Sequence, residues 1–179
     1  VIRLARDHAL RNTSIEGEIA LRKSIRTILA SPPPMEFQDF GAWTIEPDVI
    51  VASPLHTVPA ESGDWWGHYI VPSGVTEDRY IQAIQTRAGD LRVVHHALTY
   101  AVTDPNPPPD DSSNDFFLNE YAVGKNADQY PDGTGKLFPA DAQVRFSFHY
   151  HSIGEQVVDQ TELGLKFYPK GYDPDHVLW

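Results

Sequence analysis

The alternation of apolar and polar residues is clearest over residues 144–151, Val-Arg-Phe-Ser-Phe-His-Tyr-His. Val144, Phe146, Phe148 and Tyr150 fall on one face, and Arg145, Ser147, His149 and His151 on the other. A period of two predicts a strand whose apolar face lies on the core. Similar short runs rich in β-branched and aromatic residues occupy Asp48–Ala52, Trp66–Val71, Tyr80–Gln85, Arg92–Val102 and Leu163–Tyr168. Turn formers separate them: Pro72-Ser-Gly74, Ala88-Gly-Asp90 and Pro131-Asp-Gly-Thr-Gly135. Short strands with no helices between them predict a mainly β fold. The expected form is an antiparallel jelly-roll sandwich of about eight or nine strands. Phe146, Phe148, Leu163, Leu165 and Val94 are its expected core residues.

A helical period occurs once, near the N-terminus. Thr13-Ser-Ile-Glu16 has the spacing in which two side chains cap each other's backbone N–H. Ile15, Ile19, Ile25, Ile28 and Leu29 follow near a helical repeat, with Arg22, Lys23 and Arg26 turned outward. Pro32-Pro33-Pro34 ends the pattern. The prediction is one N-terminal helix and a stiff linker over residues 1–40, then the β domain over 41–179. The proline- and aspartate-rich stretch Asp104–Asn114 reads as a surface loop without chemistry of its own.

Composition narrows the chemistry. The chain has 179 residues, 41% of them hydrophobic, enough for one domain with a real core. No run reaches the roughly 18–20 apolar residues of a membrane span, so no transmembrane segment of its own is expected. Fourteen basic residues against 25 acidic ones give a formal charge of -11, which repels phosphate backbones and argues against nucleic acid as a partner. There is no cysteine, which excludes disulfides, thiolate zinc sites and iron–sulfur clusters. Any metal must be held by nitrogen and oxygen. The sequence starts at Val1 and shows no signal peptide, as expected of a processed chain or a piece of a longer one.

Two histidine clusters are the candidate chemistry. In a regular strand His95 and His96 point to opposite faces, so they can share an ion only at a strand end, a bulge or a rim. The plain alternative is one buried and one exposed histidine. His149 and His151 lie on one face about 6.5–7 Å apart along the backbone, within reach of a common ion. Their plain alternative is a solvated strand face. Taken together, the clusters offer the imidazole donors that suit copper or zinc. His8, His56, His68 and His176 have no partner at ligand spacing, and His68 is of interest only for its nearness to Trp65 and Trp66. Those two tryptophans are read as core or interface residues. His149-Tyr-His151-Ser-Ile-Gly-Glu155 also fits the H-x-H-x3-E core of the cupin metal motif, but the flanking glycines and the second motif are missing.

A broader pattern joins the clusters. Val93-Val-His-His96, then Phe148-His-Tyr-His151, then Leu163-Gly-Leu-Lys-Phe167 resembles the N-terminal domain of the copper type II, ascorbate-dependent monooxygenases, the family of peptidylglycine α-hydroxylating and dopamine β-monooxygenases. Trp43-Thr-Ile-Glu-Pro-Asp48, Thr76-Glu-Asp-Arg-Tyr-Ile81 and the Pro131–Lys136 turn look similar to bacterial relatives. The resemblance runs from about Gly41 to Tyr172, most of one domain's length.

The resemblance implies one copper on His95, His96 and His149, with His151 a neighbouring or additional residue. That copper would store and pass an electron. Oxygen and substrate would meet at a second copper, held in a following domain by a His-x-His and a Met. The only methionine here is Met35, in the linker, so no catalytic residue is expected on this chain alone. Ala97 stands where the family's histidine pair is usually followed by Met. The implied partner is a second copper domain or a larger assembly, and the implied location is periplasmic or otherwise extracytoplasmic. The rival expectation is a non-catalytic accessory subunit of a bacterial envelope complex, with or without metal. Fold alone does not choose between them.

Overall fold

The computed structural model describes Ile19, residues 41–104, 106 and 115–178. Apart from Ile19, Asp104 and Asn106, the predicted N-terminal helix, the proline linker with Met35, and the Asp104–Asn114 loop lie outside the described residues.

Twelve strands form among these residues: β1 (Val49–Ala52), β2 (His56–Val58), β3 (Trp65–Pro72), β4 (Arg79–Arg87), β5 (Val94–Val102), β6 (Phe116–Ala122), β7 (Asp128–Gln129), β8 (Thr134–Phe138), β9 (Gln143–Tyr150), β10 (Val157–Asp159), β11 (Glu162–Phe167) and β12 (His176–Leu178). The expectation of eight or nine strands is therefore too low. The extra strands are mostly two or three residues long and too short to show a period. The fold is mainly β, with two open sheets and a small ribbon. One sheet runs β1-β11-β4-β8-β12 with β7 also on β4, the other β3-β9-β5-β6, and β10 pairs with β2. The expected antiparallel pairing holds everywhere except between β8 and β12, which run parallel. The Pro131–Gly135 turn is also shorter than expected, because β8 already begins at Thr134. No helix of the described residues is long and apolar enough to cross a membrane.

One apolar cluster draws on both large sheets, giving a sandwich-like arrangement. Ile81, Ile84, Leu163 and Leu165 come from the first sheet, and Val94, Ala97, Phe146, Phe148 and Tyr150 from the second. All five residues expected in the core are buried there. Each large side chain so buried contributes about 1.5–3 kcal/mol. Gln85, Thr86, Thr99 and Asn119 are buried too, and Asn119 Oδ1 accepts from the Thr86 amide at 2.8 Å, linking β4 to β6.

The strands that carry the histidines are locked to one another by a buried carboxylate. Asp159 is fully buried and accepts from the Tyr150 hydroxyl at 2.7 Å, the Thr161 hydroxyl at 2.9 Å and the Asp90 amide at 2.8 Å. Asp90 opens the turn into β5, and Tyr150 ends β9. The Asp159 side chain therefore ties the start of one histidine strand to the end of the other. Burial and Asp159 push the Tyr150 phenol far up, so it remains a donor.

Candidate metal centre

The site begins with a register error. Along β5 against β9, Val94 faces Tyr150, His96 faces His149 and Ala97 faces Phe148, and the register shifts between Val94 and His96. His95 is the extra residue of a β-bulge, the geometry in which adjacent histidines can reach the same side. The cause is visible in the burial of β5. Val94, Ala97, Thr99 and Ala101 are all buried, and Val94 and Ala97 share a face only if one residue between them is skipped.

His149 sits mid-sheet, with His96 across from it on β5 and Trp66 across from it on β3. The ring centroids of His95 and His96 lie 4.7 and 5.0 Å from that of His149. The Nδ1 atoms of His95 and His96 are 3.1 Å apart. One ring nitrogen from each of His95, His96 and His149 falls within 4.8 Å of the others, and this is the only such group of three potential ligands among the described residues. The structure thus brings together the three histidines that the resemblance singled out.

Burial and bonding differ within the trio. His95 is exposed, His96 half-buried and His149 buried. Burial, with His149 and His95 adding to it, lowers the pKa of His96 and favours the neutral imidazole that can donate a lone pair. His149 Nδ1 is buried with no hydrogen-bond partner. Buried polar atoms are nearly always satisfied, and an orphan beside two other imidazoles fits a metal-ligand position. The donor set, three imidazoles without sulfur, suits copper or zinc. The residues present fit such an ion.

Two neighbours frame the site. Trp66 lies flat on His149, with centroids 3.8 Å apart and 14° between the planes, and meets His96 in a T-shaped contact. It is 64% exposed, so it belongs to the site's outer wall and not to the core. Trp65 does pack on the core. Its ring crosses Gly67, where an added Cβ would lie 2.3 Å from the indole, so only glycine fits there. Asp64, just before β3, is the second neighbour. Its Oδ2 lies 2.9 Å from His149 Nε2 and its Oδ1 2.8 Å from His151 Nδ1. These contacts, the one to His151 foremost, hold the Asp64 carboxyl below its ordinary pKa and keep it anionic.

The remaining candidates fall outside the trio. His151 lies past the end of β9 with its ring on Asp64. Glu155, the would-be third residue of the cupin-like spacing, pairs instead with Arg92 at 2.5 Å. His68 stands on β3 opposite Ser147, two residues along from Trp66. His56 is stacked on Tyr150 in the core region and bonded to Tyr69 at 2.9 Å. Sequence reasoning passed over Asp64, because an aspartate in a loop 85 residues before His149 carries no local signal. The chain matches no family model and no curated protein.

Proposed function

We propose that this chain carries a copper-binding domain of electron-transfer type from a monooxygenase-like protein, with His95, His96 and His149 as the ligands. The observation that carries the reading is the bulge that turns adjacent histidines toward His149, whose buried Nδ1 has no other partner. The jelly-roll arrangement and the preceding helix belong to the same reading. Bound copper would supply one-electron redox chemistry. The chain's own residues do the rest. The β5–β9 ladder fixes the spacing of His96 and His149, the bulge admits His95, and Trp66 covers one face of His149 against water. Hydroxylation of a substrate would require a second copper site beyond the residues named here, in another domain or chain.

Copper titration of the purified protein and three variants tests this. The wild type is expected to take up about one copper, with affinity falling as pH drops through the histidine range because protons compete for the ring nitrogens. His96→Ala and His149→Ala should each lose orders of magnitude in affinity, and His151→Ala much less. Equal, weak binding by all four proteins leaves the accessory-subunit reading in its place. Oxygen- and ascorbate-dependent turnover with a second copper domain separates a working half-enzyme from a structural metal site.

A further inference from the structure

We infer that Asp64 is a positioning residue that selects the tautomer of His149, placing the ring proton on Nε2 and leaving Nδ1 bare for the histidine cluster. As a ligand-orienting role this rests on the metal reading; as a statement about the tautomer it stands without metal.

The argument is one of donors and acceptors. An ionised carboxylate only accepts hydrogen bonds. The Asp64 oxygen 2.9 Å from His149 Nε2 therefore requires the proton on Nε2. A neutral imidazole carries one proton, so Nδ1 then holds the lone pair. That nitrogen is the one that is buried and unpartnered. The opposite tautomer would set two lone-pair atoms 2.9 Å apart at Asp64 and bury an unpaired N–H at Nδ1, and both changes are costly. A doubly protonated ring would leave the same buried N–H unpaired.

Asp64 is itself held in place. Its loop is joined to the loop after β9 by the Ala60 carbonyl, which accepts from the Gly154 amide at 3.0 Å, and by the Ser62 and Ser152 hydroxyls at 2.7 Å. Its second oxygen engages His151 Nδ1 at 2.8 Å, which fixes the rotation of the carboxylate. This gives His151 a part at the site without ligation: it braces the acceptor that orients the ligand. Carboxylates that accept from the far nitrogen of a ligating histidine fix ring orientation and raise ligand basicity.

The test has a metal-free arm and a metal arm. Long-range proton–nitrogen NMR of imidazole-labelled protein without metal, above the histidine titration range, reads the His149 tautomer directly. The wild type is expected to show the proton on Nε2. Asp64→Ala should show mixed tautomers, and so should Asp64→Asn, whose amide can turn either its oxygen or its NH2 to Nε2 and so no longer selects one. Copper titration of the same proteins should show about a 10–100-fold loss for Asp64→Ala and a smaller loss for Asp64→Asn. His151→Ala should leave the tautomer in place, and Asp64→Asn, close to aspartate in size, keeps the test open if Asp64→Ala does not fold. A wild-type His149 protonated on Nδ1, or an Asp64→Ala protein with unchanged tautomer and affinity, overturns the inference. A wild type with the expected tautomer that fails to bind copper overturns the metal reading and leaves the tautomer assignment standing.

Discussion

His96 stands directly across the ladder from His149, while its neighbour His95 has no partner on β9 at all. The pair is set by regular antiparallel pairing, and the third histidine is admitted by breaking it. Deleting His95 should therefore restore an unbroken register, because Val94 and His96 already face Tyr150 and His149. The expected protein unfolds with a free energy within about 1 kcal/mol of the wild type but binds copper as weakly as His95→Ala. Denaturant unfolding and metal titration of the two variants check this. A deletion that unfolds the domain would show that the bulge serves the fold rather than the site.

The flat contact between Trp66 and His149 provides an optical report. Copper(II) quenches a nearby indole, and Trp66 is stacked on one of the three histidines. Titration with copper should quench tryptophan emission, and Trp66→Phe should remove most of the quenching while keeping a stacked ring. Fluorescence titration of the two proteins settles the point, and quenching that survives in the variant would place the metal elsewhere.

The strands that carry the core were legible because their alternation is long enough to register. Val144 to Tyr150 and Leu163 to Phe167 fold as their periods predict, with Phe146, Phe148, Leu163 and Leu165 buried. The two- and three-residue strands were not legible, since so few residues define no period. The bulge could have been read from Val94, Ala97, Thr99 and Ala101, whose spacing slips by one residue. Asp64 could not, because its meeting with His149 depends on two loops and on the β3–β9 pairing. Nor could Arg145. Its place between Val144 and Phe146 marks the polar face, yet it is 1% exposed.

Arg145 pairs with Asp115 at 2.5 Å, and both side chains are nearly inaccessible. Removing one partner leaves a buried charge, which typically costs about 3–5 kcal/mol. Arg145→Met and Asp115→Leu should each destabilise the domain by that order, and the double variant should recover much of the loss. A urea-unfolding double-mutant cycle measures it. Asp115 follows the proline- and aspartate-rich loop directly, so replacing residues 105–113 by a short Gly-Ser connection should be tolerated only if Asp115 is retained. Thermal unfolding of shortened chains with and without Asp115 tests this, and equal stability would exclude the ion pair as the anchor.

His56 gives the domain a pH dependence that does not pass through the site. Its ring is stacked on Tyr150, with centroids 4.4 Å apart, and its Nδ1 lies 2.9 Å from the Tyr69 hydroxyl. Burial lowers its pKa below the ordinary 6.5, with Asp159 opposing the shift. The folded state therefore binds this proton more weakly than the unfolded chain. Stability is complete above about pH 6.5 and is lost as pH falls from there toward the lowered folded value, below which the loss levels off. His96, lowered by burial in the metal-free protein, acts in the same direction. His56→Phe keeps a stacking ring without a titrating group, so its thermal midpoint should fall less between pH 7 and pH 5 than that of the wild type. With saturating copper the pH dependence should steepen in both proteins, because ligated histidines take up no proton in the folded state while the unfolded chain still can. The difference between the two proteins, the His56 part, should remain. Calorimetric scans of both proteins across that range, with and without copper, separate the two contributions. A variant whose pH profile matches the wild type's would mean that His56 takes up its proton as readily folded as unfolded.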